Sequence, residues 1–215
     1  MTSAAMIVVG GGGHASVLLD ELLVSGYKVL GIVDPNLAVG TKVLYSKVLG
    51  DDEYLTQHSS AQIQLVNGIG ALPGSKGRKT VAQKLESEGY TFCSVVSDRA
   101  TISDSAKIFD GAQILAGAII QTNVQVGEHV VVNTGATIDH DCVVAENVWI
   151  SPGAVLCGNV TVEPDVYIGA GAVVIQNITL GTGATIAAGS VVTKSVEANT
   201  RFYEPRSKFK IQRPK

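Results

Sequence analysis

The sequence contains few aromatic and few charged residues. Of its 215 residues only 5% are aromatic and 16% charged, whereas 46% are hydrophobic. Any core must therefore be built from Val, Ile, Leu and Ala, and the apolar content excludes a disordered chain. The 16 basic residues are outnumbered by 19 acidic ones, so the net charge is −3. A chain without excess positive charge is not expected to bind nucleic acid.

Long apolar runs are absent and cysteine is rare. The apolar run at residues 4–9 gives way to four glycines, and it is too short for a signal-peptide core or a membrane span. The three cysteines, Cys93, Cys142 and Cys157, are odd in number and have no CxxC spacing. They predict free thiols in a reducing compartment, and hence a cytoplasmic protein with no membrane partner.

The second half of the chain is a repeat. From Val96 to Glu197 it divides into seventeen hexapeptides without an insertion, and position one is Val, Ile or Leu in all of them. Position five is small or β-branched, and position four holds seven Gly, four Asn and two Asp. A six-residue period fits neither a helix nor a long alternating strand. Gly, Asn and Asp tolerate the positive φ of a sharp corner. The repeat therefore predicts short strands that point aliphatic side chains into a narrow core.

The first 95 residues predict a Rossmann-like βαβ unit with a parallel sheet. Residues 6–9 and 28–33 are typical of buried strands, and residues 16–25 are typical of the helix between them. The glycine turn Gly10-x-Gly12-x-x-Ala15, with Asp34 about 20 residues on, fits a loose dinucleotide fingerprint. Backbone N–H groups at such a turn favour a phosphate or a ribose. A glycine turn needed only for tight strand-to-helix packing has the same pattern.

A third strand at residues 62–67 ends at a second glycine turn, before a helix at residues 79–88. Ligands of open α/β sheets bind at the carboxyl ends of the strands. We expect the following residues to converge there on a substrate: Gly12, Gly13, His14, Asp34, Pro35, Gly68 and Gly70.

Both halves of the chain resemble one family. The repeat resembles the left-handed parallel β-helix of hexapeptide-repeat acyltransferases, in which three hexapeptides form one triangular coil of 18 residues. The stretches VNTGATIDHDCVV, VWISPGAVLCG and IVVGGGGHA resemble the bacterial nucleotide-sugar acetyltransferases. That family includes the sialic-acid O-acetyltransferases and the N-acetyltransferases of bacillosamine and perosamine biosynthesis.

The resemblance spans essentially the whole chain and implies an organisation. Residues 1–95 would bind a nucleotide sugar, residues 96–197 would form the left-handed β-helix, and residues 198–215 would be a basic tail. Acetyl-CoA would be the cosubstrate. The family also implies a homotrimer whose active sites lie between subunits, and the weakly charged faces of the prism suit such packing.

The resemblance assigns the chemistry to His140 and Asp141. His140 would be the general base for the sugar amine, or hydroxyl, that attacks acetyl-CoA. Asp141 would raise its basicity, although Asp141 also fits the corner column for backbone reasons. Asn133 matches a family position that orients the site. In an 18-residue coil His140 stacks between Thr122 and Gly158, and the Gly158 N–H is a candidate donor to the oxyanion.

The resemblance also indicates where acetyl-CoA lies. The matching positions in the groove between neighbouring β-helices are Ala170 and Ala188, whose small side chains allow close approach of the pantetheine. Trp149 departs from the pattern, because bacillosamine relatives carry a histidine at this position near the thioester. Trp149 and Tyr167 are 18 residues apart and should lie on one face, either against a ligand or between subunits. The basic tail either meets the CoA phosphates or is solvated.

Other functions fit parts of the sequence. A sugar O-acetyltransferase of the sialic-acid type uses the same residues, and only the family favours N-acetylation of a 4-amino-4,6-dideoxyhexose linked to GDP or UDP. An NAD- or nucleotide-binding protein explains the glycine turn and leaves the repeat without a purpose, and a pure scaffold leaves the site unexplained. A zinc carbonic anhydrase needs three histidine ligands, and the repeat holds two. No metal is therefore expected.

Overall fold

The computed structural model describes residues 5–203. A mixed five-stranded sheet forms the N-terminal part, and its strands are β1 (Ala5–Val9), β2 (Val29–Val33), β3 (Lys42–Val43), β4 (Ser46–Gly50) and β5 (Ile63–Asn67). Their order is β3-β4-β2-β1-β5, and all pairs are parallel except the antiparallel pair at the edge, β3 and β4. Two α-helices and a 3₁₀ segment complete this part: α1 (Gly13–Val24), α2 (Gly77–Ser87) and Asp52–Gln57.

The βαβ unit and the parallel pairing were predicted from the sequence, whereas the β3–β4 hairpin was not. Its turn passes through Leu44 at φ 51° and contains no Gly, Asn or Asp. These are the residues by which a tight hairpin is normally identified. Strand β4 extends the sheet beside β2 and gives the domain a parallel strand that the sequence analysis missed.

Both faces of the sheet are covered. Met6 and Val8 point into one core with α1, whereas Ile7 and Val9 point into a second core with α2 and the 3₁₀ segment. This alternation follows from the two-residue period of a strand. The core with α1 is aliphatic apart from sulfur-containing side chains, whereas the core with α2 also contains Tyr90 and Phe92.

The rest of the described chain is a left-handed parallel β-helix with three faces. Face A contains Val95–Val96, Gln113–Ile114, Val131–Val132, Trp149–Ile150, Tyr167–Ile168, Thr185–Ile186 and Arg201–Phe202. Face B contains Thr101–Ile102, Ile119–Ile120, Thr137–Ile138, Val155–Leu156, Val173–Val174 and Val191–Val192. Face C contains Lys107–Ile108, Gln125–Val126, Val143–Val144, Thr161–Val162 and Thr179–Leu180. The corners that join the faces in chain order are called edges AB, BC and CA.

The columns of the hexapeptide follow the predicted pattern. Paired residues are 18 positions apart, as in Ile119 with Thr137, so each coil takes three hexapeptides. Every position-four residue from Gly111 to Gly189 has a positive φ, whether it is Gly, Asn, Asp or His. Position-one residues are buried from Ile114 onward, and Cys142 at position five is fully buried. The corner column and the core column were thus correctly predicted.

The N-terminal domain packs on face A. The side chains of Gln113 and Val131 point outward from face A and are fully buried under the N-terminal domain. Two side-chain contacts join α2 to edge CA, Lys79 with Asp165 and Glu86 with His129, each at 2.7 Å. No helix within residues 5–203 has the length and apolarity needed to cross a bilayer.

Candidate active site

The first glycine turn is held by Asp34. One carboxylate oxygen of Asp34 accepts the Gly11 N–H at 2.7 Å, and the other accepts the Asn36 N–H at 2.8 Å. These bonds tie the end of β2 to the turn after β1, because a carboxylate accepts well from backbone N–H groups. Asp34 therefore shapes the turn, whereas a dinucleotide fingerprint would use such a residue on a ribose.

The glycines of the two turns differ in their surroundings, so glycine is needed at them for different physical reasons. A Cβ on Gly68 would lie 2.7 Å from the Gly10 carbonyl oxygen and 2.9 Å from Ala15 Cβ, so Gly68 is required by close packing. Gly12 and Gly13 are exposed, and a Cβ there would meet nothing within 4 Å. Space in front of these two residues is open to a ligand.

Helix α1 begins at this open turn without a side-chain cap. Its N-cap is Gly12, and no side chain bonds to the first N–H groups among the described residues. A helix N-terminus with free donors attracts anions. Gly12, Gly13 and His14 thus lie at the N-terminus of α1.

A cavity of about 780 Å³ lies between this turn and the β-helix along edge AB. The predicted residues that line it are Gly13, His14, Asn133, Trp149, Ala170 and Ala188. Residues proposed for the sugar nucleotide and for acetyl-CoA therefore share one cavity. Gly12, Asp34, Pro35, Gly68 and Gly70 do not line it. The Asn133 side chain donates to the Ile150 carbonyl at 2.8 Å, so this buried amide is fixed in place.

Trp149 contacts two residues of the N-terminal domain, His14 and Arg78. Its ring centroid is 5.0 Å from that of His14, and the Arg78 guanidinium carbon lies 5.8 Å from it. Arg78 is buried, and its Nη1 donates to the Asn67 and Ile69 carbonyls. Burial lowers the pKa of Arg78 to about 9. Trp149 thus faces the N-terminal domain and the cavity, and Tyr167 also lines the cavity.

His140 lies at a different corner, edge BC, with its side chain 56% exposed. Its Nδ1 is 2.9 Å from Asp141 Oδ2, and this hydrogen bond raises the pKa of His140 above its usual 6.5. In turn His140, followed by the amide of Asn123, lowers the pKa of Asp141. Nδ1–H donates to the carboxylate, which leaves Nε2 as the basic nitrogen.

Gly158 lies against the basic nitrogen, as the coil length predicted. A Cβ at position 158 would lie 2.5 Å from both Nε2 and Cε1 of His140. The Gly158 N–H donates to no acceptor within residues 5–203. Glycine is thus required at position 158 to let the ring lie here.

The structure separates the predicted site into two halves. The cavity with Asn133, Ala170 and Ala188 follows edge AB, whereas His140 and Gly158 lie on edge BC. Face B stands between the two edges of one chain. The 18-residue coil already implies this separation, because Ala170 lies 30 residues after His140, which is not a multiple of 18. The position of the cavity at edge AB, in contrast, depends on where the N-terminal domain packs.

Three residues beside the cavity were not predicted from the sequence: Asn67, Arg78 and Gln113. Asn67 ends the predicted third strand just before a glycine turn, which was an available signal. Gln113 had none, because its partners His14 and Asn67 come from the other domain. Arg78 had none, because its contacts with the Asn67 and Ile69 carbonyls and with Trp149 depend on tertiary packing. Among the described residues no group of three or more His, Cys, Asp or Glu is placed to hold a metal ion.

Two family models match the chain. The model of the PglD N-terminal domain matches residues 5–85. The model of the bacterial transferase hexapeptide (six repeats) matches residues 105–140, 141–176 and 162–194. A comparison with curated protein sequences finds no significant match.

Solved acetyltransferase structures are similar over nearly the whole chain. PerB from Caulobacter crescentus, in complex with CoA and GDP-perosamine, is 29% identical with a TM-score of 0.84, over 93% of this chain and 94% of that one. The acetyltransferase domain of PglB from Neisseria gonorrhoeae, in complex with acetyl coenzyme A, is 29% identical with a TM-score of 0.84, over 92% of this chain and 95% of that one. WeeI from Acinetobacter baumannii is 25% identical with a TM-score of 0.81, over 92% and 95%.

These similarities confirm the family resemblance of the sequence and the fold that it implied. The chain joins a segment that matches the PglD N-terminal domain to hexapeptide repeats, and its structural neighbours include acetyltransferases in complex with CoA or acetyl-CoA. The protein is an acetyltransferase whose C-terminal part carries the hexapeptide repeats of bacterial transferases.

Proposed function

We propose that the protein transfers the acetyl group of acetyl-CoA to the 4-amino group of a nucleotide-linked 4-amino-4,6-dideoxyhexose, with His140 as general base. The observation that carries this proposal is the His140–Asp141 pair at an open corner, with Nε2 held against Gly158. The chain is also similar over 93% of its length to an enzyme that holds CoA and GDP-perosamine. GDP and UDP are both candidate nucleotides.

The glycine turn and the cavity beside it suit both substrates. The uncapped N-terminus of α1, with Gly12, Gly13 and His14, supports binding of a sugar-nucleotide phosphate. Ala170 and Ala188 leave room for a narrow chain such as pantetheine along edge AB. Acetyl-CoA supplies the activated acetyl group.

His140 would accept a proton from the attacking amine and then donate it to the leaving thiolate. Its Nε2 accepts the proton that the amine loses while the amine nitrogen bonds to the acetyl carbonyl carbon and the thioester C–S bond breaks. Asp141 stabilises the imidazolium through Nδ1–H. The proton then passes to the departing CoA thiolate, which leaves as the thiol. The Gly158 N–H is the candidate donor to the oxyanion.

A second copy of the chain would complete the site. Edge AB of one chain and edge BC of another must meet to bring His140 to the cavity, and we propose the homotrimer that the sequence resemblance implied. Face B suits this packing, because Ile119, Val155 and Val173 point outward from it and no charged residue does. A cyclic trimer places each edge AB against the edge BC of a neighbour.

Complementation between inactive chains tests the shared site. His140→Asn chains lack the base, and Ala170→Trp chains have a filled cavity. If each site draws on two chains, mixed trimers contain one intact site, and co-expression of the two variants restores activity that neither has alone. Failure to restore activity, with mixed trimers verified by mass spectrometry, contradicts a shared site.

Substitution of Asp141 is expected to move the pH profile. Asp141 raises the pKa of His140 through its hydrogen bond, so Asp141→Asn lowers that pKa. Because kcat/KM requires neutral His140, its acid limb should move to lower pH. Asn suits the backbone here, because Asp141 has φ 60° and Asn occupies equivalent corners. An acid limb that stays in place would show that this pair does not govern the rate.

Substitution of Gly12 is expected to separate the two substrates. Gly12→Val adds bulk in front of the α1 N-terminus without a clash, since a Cβ meets nothing within 4 Å. The dissociation constant of the sugar nucleotide should rise about tenfold or more, whereas that of acetyl-CoA stays unchanged by calorimetry. Gly77→Val, at the start of α2 and equally open, is the matched control and should change neither constant. An equal loss for both substrates would contradict the separate binding of the two.

Free-thiol release from acetyl-CoA is the direct test of the activity. The acceptors are UDP-, GDP- and dTDP-linked 4-amino sugars, with sialic acid as the hydroxyl acceptor. Turnover with one amino-sugar nucleotide supports the proposal and identifies the nucleotide. Turnover with sialic acid alone would replace N-acetylation by O-acetylation.

A further inference from the structure

Polar contacts join the two domains beside the cavity. The backbone carbonyl of Asn67, at the end of β5, accepts hydrogen bonds from Arg78 Nη1 at 2.7 Å and Gln113 Nε2 at 2.9 Å. Gln113 Oε1 lies 2.7 Å from His14 Nε2. Asn67 and Gln113 are buried, Gln113 with 0% exposure, so water does not compete for these contacts.

The Asn67 carbonyl decides which end of the Gln113 amide faces His14. A carbonyl oxygen only accepts, so the amide group beside it must be the NH₂ and the amide oxygen must point at the imidazole. A flipped amide would place two oxygens against each other at Asn67. Because an amide oxygen cannot donate, His14 Nε2 carries the hydrogen of this contact.

The other nitrogen of His14 is then an acceptor. Burial, followed by the positive charge of Arg78, lowers the pKa of His14 to about 4 against the opposing effect of the Gln113 hydrogen bond. The ring is neutral at pH 7, and with a hydrogen on Nε2 it has none on Nδ1. Nδ1 makes no hydrogen bond with residues 5–203 and is not among their buried unpartnered atoms. His14 lines the cavity, so this lone pair is available to a ligand.

We propose that Gln113 is a positioning residue that holds His14 as the Nε2–H tautomer, so that Nδ1 accepts a hydrogen bond from an O–H or N–H group of a bound substrate. Such a donor occurs in both substrates, as a hydroxyl of the sugar nucleotide or an amide N–H of the pantetheine. The opposite tautomer, or an imidazolium, would present a hydrogen to that donor and repel it. The identity of the substrates rests on the proposed function, whereas the tautomer is a property of the free protein.

The tautomer can be measured in the free protein by NMR of ¹⁵N-labelled histidine, because protonated and unprotonated ring nitrogens have separate shifts. The chain has four histidines, and the signal lost in His14→Asn identifies His14. We expect a hydrogen on Nε2 and none on Nδ1. A hydrogen on Nδ1 overturns the proposal without any variant of Gln113.

Variants of Gln113 test the consequence for binding. Gln113→Met keeps the length and removes both hydrogen bonds, so His14 should show mixed tautomers. Gln113→Glu keeps the volume and places a carboxylate beside Nε2, which favours the imidazolium. In both variants the dissociation constant of one substrate should rise about tenfold, and calorimetry with acetyl-CoA and with the sugar nucleotide identifies which substrate donates.

The outcomes separate this proposal from the proposed function. A changed protonation state of His14 with unchanged dissociation constants for both substrates overturns the binding role. Loss of binding in Gln113→Met with the wild-type tautomer retained also overturns it, because the loss would then be structural. If the wild-type protein acetylates no sugar nucleotide, the proposed function fails, and the tautomer and the acetyl-CoA titration still decide the inference.

Discussion

Replacement of His140 by Asn is expected to lower turnover by about a hundredfold or more, the usual contribution of a general base. Asn cannot accept the proton that the attacking amine loses, whereas His140 offers Nε2 while Nδ1 is held by Asp141. The side chain is 56% exposed, so its loss should leave folding intact. Dissociation constants for acetyl-CoA and the sugar nucleotide should change little, and the loss should fall on kcat.

The matched control for this variant is His129→Asn. His129 is the other histidine of the repeat, and it lies on edge CA in the corner column, where Asn is the commonest residue after Gly. Its ring contacts Glu86 and Phe92, so some thermal stability should be lost without loss of turnover. Near-normal turnover of His140→Asn would remove His140 from the mechanism.

Gly158→Ala should produce a comparable loss of turnover without removing any polar atom. The new Cβ would lie 2.5 Å from His140 Nε2, and the exposed ring must swing away to relieve the overlap. Displacement of a catalytic group by about 1 Å can cost about a hundredfold in rate. The melting temperature should change little, because the nearest atoms belong to one mobile side chain and not to the backbone.

Thr122→Ala is the control on the opposite side of the ring. Thr122 occupies the same corner position one coil earlier and is exposed, and its backbone carbonyl, which accepts the Asp141 N–H, is unaffected. This variant should keep its turnover. Full activity of Gly158→Ala would show that the ring position seen here is not the one used in catalysis.

The β-helix could be predicted almost residue by residue because its information is local. In each hexapeptide the residue at position four forms the corner and the residue at position one enters the core. The positive φ of Asn123, Asp141 and Asn147 therefore follows from residue type. The His140–Asp141 pair is also local, since the two residues are adjacent. Its contact with Gly158 needed only the length of one coil.

The N-terminal domain was predicted in outline only. Its βαβ unit follows from apolar strands and a glycine turn, but the hairpin at Lys42–Val43 and Ser46–Gly50 has no turn signal in the sequence. The different roles of the two glycine turns also could not be distinguished from their sequence pattern. Only the packing shows that Gly68 is needed against Gly10 and Ala15, whereas Gly12 and Gly13 face open space.

Local sequence predicted the two-domain architecture, the hexapeptide columns and the adjacency of His140 and Asp141, and the family resemblance added the 18-residue coil that places Gly158 beside His140. Tertiary packing was needed to place Trp149 against His14 and Arg78, to join Gln113 to Asn67, and to form the cavity at edge AB. All three corners of a coil carry the same hexapeptide pattern, so the pattern does not indicate which corner lies beside the N-terminal domain. The packing of that domain on face A decides it.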